Sequence, residues 1–412
     1  MTTPHIRRLE NAIQPYAWGS RYALAQLQGR EAPSEGPEAE LWIGAHPKAP
    51  SQIVGEGQTL LELINAAPDR MLGPESRTRF GDTLPFLLKI LAAQEPLSLQ
   101  AHPSRAQARA GFHHEERARV PLSDPERSYK DDRHKPELIC ALGAFHALCG
   151  FRPIDETQEL LGAWGLSALP AYERLKAKPR SRGLQSCCEA LWQLEPSALG
   201  KATAKLVKAA QRCASDPKSP QQGFASDLLI VAQRYPGDVG LLFMPLLHHV
   251  VLAPGEALFL PAGCLHSYLH GVGVEIMANS DNVLRGGLTP KHIDVHQLLR
   301  TIRFEPTKLR KLVPDSMASQ HDFEPDVEEF ALSMAHCTGH EKHRHRPIGP
   351  EFLLVTEGDF SIEGQHEDPI RLRCGQSVFV PGLHGEYSFL GTGTIFIARL
   401  GTGQVAVSAR EN

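Results

Sequence analysis

The sequence predicts a mainly β protein built from two related jelly-roll domains, with an α-helical subdomain inserted in the first. Three observations lead there. The stretch Gly255-Glu-Ala-Leu-Phe-Leu-Pro261 returns as Gly375-Gln-Ser-Val-Phe-Val-Pro381. Each copy is followed by a tyrosine (Tyr268, Tyr387) and a Gly-x-Gly turn (Gly271 to Gly273, Gly391 to Gly393). Two copies of one β unit imply two related β-domains. Between Asp155 and Arg234 the apolar positions recur every three or four residues instead, as in Leu160, Leu161 and Trp164 or Leu199, Ala202, Leu206 and Ala209, which is the period of amphipathic helices. On either side of this block, short apolar runs lie between Gly and Pro residues, as strands do.

Along the first domain, Ala39–Ile43, Leu84–Ile90, Leu97–Ala101 and Leu138–Leu142 have strand length, Leu60–Ala66 has helical spacing, and Ser104–Ala110 after Pro103 reads as a helix start. Pro179, Pro196, Pro217 and Pro220 break the helical block. Strands return at Val250–Leu252, Ala257–Leu260, Tyr268–Leu269 and Val272–Met277, followed by a helix over His292–Arg300. A basic, proline-bearing connector, Arg303–Pro314, leads to a last strand-rich block from Val327 to Val407. Turn, alternating strand, proline corner and second strand fit a double-sheet jelly roll of the cupin kind. The expected organisation is one cupin-like domain from residues 1–153 with 236–312, a helical subdomain at 154–235, and a C-terminal cupin-like β-domain at 313–412.

The 412 residues are 42% hydrophobic and 22% charged, an ordinary globular mixture. A net charge of −4 gives no broad attraction to nucleic acid or to an anionic membrane, so an anionic ligand needs a local basic pocket. No apolar run reaches the ~20 residues a membrane span requires. The N-terminus lacks the apolar stretch of a secretion signal. The eight cysteines are scattered without a CxxC pair and read as reduced thiols. The chain is expected to be cytoplasmic and monomeric.

Gln100 and His102 stand two apart in an apolar stretch, and residues i and i+2 of a strand share a face. Glu137 opens an apolar strand, and His266 follows the Pro-Ala-Gly turn at 261–263. Together they would make a mixed N/O donor set suited to zinc with positions left open. Among 20 histidines, spacing alone does not single these out. The cluster His336, His340, His343 and His345 is interleaved with Lys342, Arg344 and Arg346 and reads as a solvated basic loop, as do the pairs His113–His114 and His248–His249.

Taken together, several segments resemble the type I phosphomannose isomerases. They include Gln14-Pro-Tyr-Ala-Trp-Gly19, Ala39-Glu-Leu-Trp-Ile-Gly44, Pro96-Leu-Ser-Leu-Gln-Ala-His-Pro103, His134-Lys-Pro-Glu137, Leu265-His-Ser-Tyr268 and Glu275-Ile-Met-Ala-Asn-Ser-Asp-Asn-Val-Leu-Arg285. They run in family order over roughly residues 11–295. The resemblance implies a cupin-like aldose–ketose isomerase acting on mannose 6-phosphate and fructose 6-phosphate, with one zinc on Gln100, His102, Glu137 and His266. The family's active-site arginine falls on Arg285, and pocket positions fall on Trp18, Lys89, Ser98, Lys135, Glu275, Asp281 and Lys291.

Such an isomerisation passes through an enediolate, whose charge a cation must stabilise. Arg285, permanently charged and planar, suits those oxygens or a phosphate. Lys135 or Glu275 is the candidate base, and the sequence leaves both open. Lys89, Ser98 and Lys291 supply charge and a hydroxyl for a 6-phosphate, and Trp18 a stacking face for the sugar.

Overall fold

The computed structural model describes residues 4–177, 180–315 and 318–403. Its organising element is the strand His266–Ala278. The first part, His266 to His270, pairs antiparallel with Phe145–Phe151, while Gly271 to Ala278 pairs with Phe86–Ala93 on one side and Glu137–Ala141 on the other. The strand thus passes from one sheet of the jelly roll to the other. Gly271 is the corner: its φ is +128°, and a Cβ there would lie 2.8 Å from the backbone of Ala144 and Phe145. The Gly-x-Gly stretches are therefore bends inside long strands and not turns between short ones. The same holds for Gly391 to Gly393 within Tyr387–Arg399, where Gly393 has φ +120°.

Alternation along these strands sorts side chains to two faces. Leu41, Ile43, Leu88, Ile90, Leu138, Val274 and Ile276 face away from the barrel interior, into a core shared with Phe330, Phe352, Leu354, Phe379 and Phe396 of the C-terminal β-domain. Phe86 meets Phe352 edge-on at 5.8 Å. The opposite face presents Glu40, Trp42, Lys89, Glu137 and Glu275 to the interior, where Leu91, Ile139, Ala147 and Tyr268 form the apolar lining.

The strand Leu99–Ala101 links His266 to Leu284–Gly287. Leu99, Ala101, Leu148 and Leu284 turn outward onto the helical insertion. That insertion contains Ile154–Ala163, Pro170–Ala177, Ser181–Trp192, Pro196–Ala214 and Gln222–Arg234. Pro196 begins a helix at a position where its missing N–H costs nothing, and Pro217 and Pro220 fall in the following connection; Pro179 lies outside the described residues. Thr59 and Ser104 close capping boxes on Leu60–Ala66 and Arg105–Arg117, and Asp294 caps Val295–Thr301.

The C-terminal sheet runs Gln320–Phe323, Ala331–Thr338, Tyr387–Arg399, Glu351–Gly364, Ser377–Val380, then Arg7–Glu10 and Gln52–Ile53. Two segments from the chain's beginning complete it, so the expected division at residue 313 is crossed by the first strand. The end of the predicted last block, 404–407, lies outside the described residues. Lys311–Leu312, within the expected connector, pairs with Ala257–Leu258 at the edge of the first domain.

The histidine-rich tract is a loop only at residues 339–342, where His340 is exposed; His336 lies in the strand Ala331–Thr338. His343–His345 is a strand paired with Tyr387–Phe389, and His343 stacks on Phe389. His248 and His249 likewise belong to the strand Leu247–Leu252, where His248 Nε2 lies 3.0 Å from Thr307 O. His113 and His114 are exposed on the helix Arg105–Arg117.

A candidate metal centre in the first jelly roll

His102, Glu137 and His266 come from three separate strands or strand ends and meet in the buried interior. Glu137 Oε2 lies 3.4 Å from His102 Nε2 and 3.3 Å from His266 Nε2. Each ring is aimed by its other nitrogen: His102 Nδ1 bonds the Asn282 carbonyl at 2.7 Å and His266 Nδ1 the Cys264 carbonyl at 3.0 Å. Both Nδ1 atoms are thereby donors, which leaves the Nε2 lone pairs to converge, the arrangement metal-bound histidines use. His102 Nε2 and Glu137 Oε2 are buried with no hydrogen-bond partner. Orphaned acceptors at the focus of two oriented imidazoles are costly unless a cation completes them. Gln100 joins them: it pairs in register with His266, its Nε2 is 3.4 Å from His266 Nε2, and a half-turn of the amide presents Oε1 there.

The electrostatics favour the ligand forms of His102 and Glu137. Burial pushes His102 down to about 4, so its ring is neutral at physiological pH. Burial works against ionising Glu137, but the charge of Lys135 beside it holds its carboxyl well below the usual range. Lys135 Nζ bonds Glu137 Oε1, leaving Oε2 for the focus.

Lys89 is buried and sits 3.3 Å from Glu275 Oε2 and 3.5 Å from Glu40 Oε2, over the Trp42 ring. Its charge is engaged by two carboxylates. Burial raises Glu275 above the ordinary carboxyl value, against the opposing charge of Lys89. The hydroxyl of Tyr268 is buried without a partner, and burial followed by the charge of Glu275 pushes its pKa well up.

Arg285 stands directly opposite Gln100 in the antiparallel register. Its strand is fixed from behind, where Trp192 of the insertion donates to the Gly286 carbonyl at 2.8 Å. Lys291 is close enough that the charge of Arg285 is the main influence lowering its pKa. Among the described residues no acidic group enters the electrostatics of either. Two cations without a counter-ion make an anion site. Ser98 is half-buried two residues before Gln100. Asp281 pairs with Lys48 at 2.9 Å and His46 at 3.5 Å, which hold its carboxylate low against burial.

Trp18 packs against the interior lining and stacks on Tyr16. Sequence reasoning passed over Tyr16, whose pKa is raised by burial and then by Glu40, with Lys89 and Asp281 also felt. It also passed over Asn282, wholly buried, whose side chain bonds the backbone of Lys130, Asp131 and Arg133 while its carbonyl orients His102. Being in the segment 275–285 was its one signal.

The second jelly roll carries a counterpart of Glu137. Glu137 pairs with Leu260 and Glu351 with Val380, the last strand residue of each repeated stretch. Both oxygens of Glu351 are taken, by His345 Nε2 at 2.9 Å and Tyr387 OH at 2.8 Å, so protein groups fill that place.

A jelly roll whose interior focuses two imidazoles, a carboxylate and an amide beside a pair of uncompensated cations defines a cupin-type protein with a metal-capable centre. The model of the type I phosphomannose isomerase catalytic domain matches residues 6–154, and that of the family's helical insertion domain matches residues 167–247. The chain is 37% identical to mannose-6-phosphate isomerase of Escherichia coli K12 over 95% of its own length and 98% of the relative's. With the human mannose-6-phosphate isomerase it shares 33% identity over 82% and 84% of the two chains. Among solved structures, a mannose 6-phosphate isomerase bound with zinc and yttrium superposes with a TM-score of 0.88 at 36% identity, covering 96% of this chain and 99% of that one. The chain belongs to the type I phosphomannose isomerases.

Proposed function

We propose that the chain interconverts mannose 6-phosphate and fructose 6-phosphate, moving a proton between C1 and C2 through a cis-enediolate. The observation that carries this reading is the convergence of the orphaned His102 Nε2 and Glu137 Oε2 beside Arg285. Gln100, His102, Glu137 and His266 would hold one zinc, which when bound polarises the sugar oxygens. Two related solved structures, described as zinc-bound, support that choice.

In this reading the guanidinium of Arg285 faces the developing oxyanion, and Lys291 and Ser98 bind the phosphate. Glu275 carries the proton: its raised pKa suits a base working near neutral pH. Lys135, bonded to the outer oxygen of Glu137, keeps that ligand ionised and aimed. Trp18 and Tyr16 form a wall for the sugar, and Asp281 accepts from a hydroxyl at the rim.

No helix among the described residues is long and apolar enough to cross a membrane. The eight cysteines are free, as suits a reducing compartment, and the reading is of a cytoplasmic monomer without nucleic-acid partners.

The test is a coupled assay on the purified, zinc-loaded protein with mannose 6-phosphate. Fructose 6-phosphate should form, and should cease to form after chelation and return on adding zinc. Failure of the loaded protein to convert the substrate would overturn the reading.

A further inference from the structure

A second group of metal-ligating side chains lies on the other face of the sheet that carries His266. His146 and His270 are direct cross-strand partners, and His249 pairs with Leu148, two residues from His146. The three imidazoles therefore share the face covered by the helical insertion. Asp227, on the helix Gln222–Arg234, reaches down into them. Its Oδ2 lies 2.7 Å from His146 Nδ1 and 2.5 Å from His249 Nε2, and its Oδ1 lies 3.1 Å from His270 Nε2. His146, Asp227 and His270 each offer a ligand atom within 4.8 Å of the others.

Charge argues for more than hydrogen bonds. Asp227 is only 4% exposed, and among the described residues its ion-pair partners are these three histidines. A buried carboxylate calls for positive charge as well as N–H donors. A divalent cation brings that charge and uses the same nitrogens as lone-pair donors. His270 and His146 are partly exposed, which gives an ion a route in. The rings in the set point to a borderline metal such as zinc, nickel or copper, and away from calcium or magnesium, which take oxygen ligands.

We propose that His146, Asp227 and His270, with His249 orienting the carboxylate or completing the coordination, form a second divalent-metal site that ties the helical insertion to the jelly roll. The donors come from three strands of the barrel and one helix of the insertion, so an ion held there links the two units and stabilises the folded state by mass action.

The zinc-loaded protein, equilibrated with a small excess of zinc and freed of unbound metal, is analysed for metal content beside His270→Gln and Asp227→Asn. Wild type should carry one equivalent more than either variant, with the isomerase rate of His270→Gln unchanged, which verifies its fold. Copper added to the zinc-loaded wild type should give an electron paramagnetic resonance signal split by imidazole nitrogens, lost in His270→Gln. Equal metal content in wild type and His270→Gln, with no such signal, would reduce the cluster to a hydrogen-bonded clasp and overturn the proposal. That outcome is independent of the catalytic reading, which the assay of wild type tests separately.

Discussion

Arg285 and Gln100 face each other across adjacent antiparallel strands, and Gln100 in turn faces His266. Register alone thus places a guanidinium one strand away from a metal-ligand candidate. Arg285→Ala should lower kcat by about a hundredfold or more, the scale of losing one charged group aimed at an oxyanion. Metal content and melting temperature should stay near wild type. Arg285→Lys should recover little, because a point charge does not reproduce the planar fork. An unchanged kcat in the alanine variant would remove Arg285 from the chemistry.

Glu275 and Lys135 separate by what they touch. In Glu275→Gln, exchange of the C2 hydrogen of deuterated substrate with solvent should stop while zinc remains bound. In Lys135→Met, Glu137 loses the charge that keeps it ionised, so zinc affinity should fall and excess zinc should restore part of the activity. Exchange persisting in Glu275→Gln would assign the proton to another group.

Lys89→Met should report on pH. The Glu275 carboxyl already lies above its usual value through burial, and Lys89 restrains it. Without that charge it rises further, so the acidic limb of kcat/KM should move to higher pH. A carboxyl that binds its proton more tightly folded than unfolded favours the folded state at low pH. The stability deficit of the variant should therefore be greatest above the raised folded value and shrink as pH falls toward about 4.3, the unfolded value. At neutral pH, stranding two buried carboxylates should cost about 3–5 kcal/mol, read by denaturant melts at several pH values. A limb that stays in place would show that Glu275 does not govern it.

Phe352→Ala tests the core that lies behind the site. The ring is wholly buried and meets Phe86 edge-on. Its removal should cost about 3–5 kcal/mol, and isomerase activity should be lost over the same denaturant range as the β-structure. Two well-separated transitions would instead show the two β-domains melting independently.

The two-domain plan was legible because the repeated stretch is a structural unit. Gly255 and Gly375 both take positive φ at its turn, with values of +83° and +80°, and the strands Ala257–Leu260 and Ser377–Val380 follow at matching offsets. The helical block was legible from its period. What spacing could not supply was the metal centre, since His102, Glu137 and His266 are brought together by strand pairing across more than a hundred residues. Family resemblance provided those positions. Other features left no residue-level mark: a carbonyl at Asn282 aims a ring, and a carboxylate on a distant helix gathers three histidines. Gly271 misled in a different way, because a glycine that bends one strand across two sheets looks in sequence like a glycine that ends a strand.

The pairing of Arg7–Glu10 with Ser377–Val380 has a bearing on how the molecule comes to exist. During synthesis the leading segment emerges long before its mate, and the catalytic sheet's outward face waits beside it for the aromatic residues of the trailing domain. Closure of the C-terminal sheet therefore waits until residues 377–380 have been made.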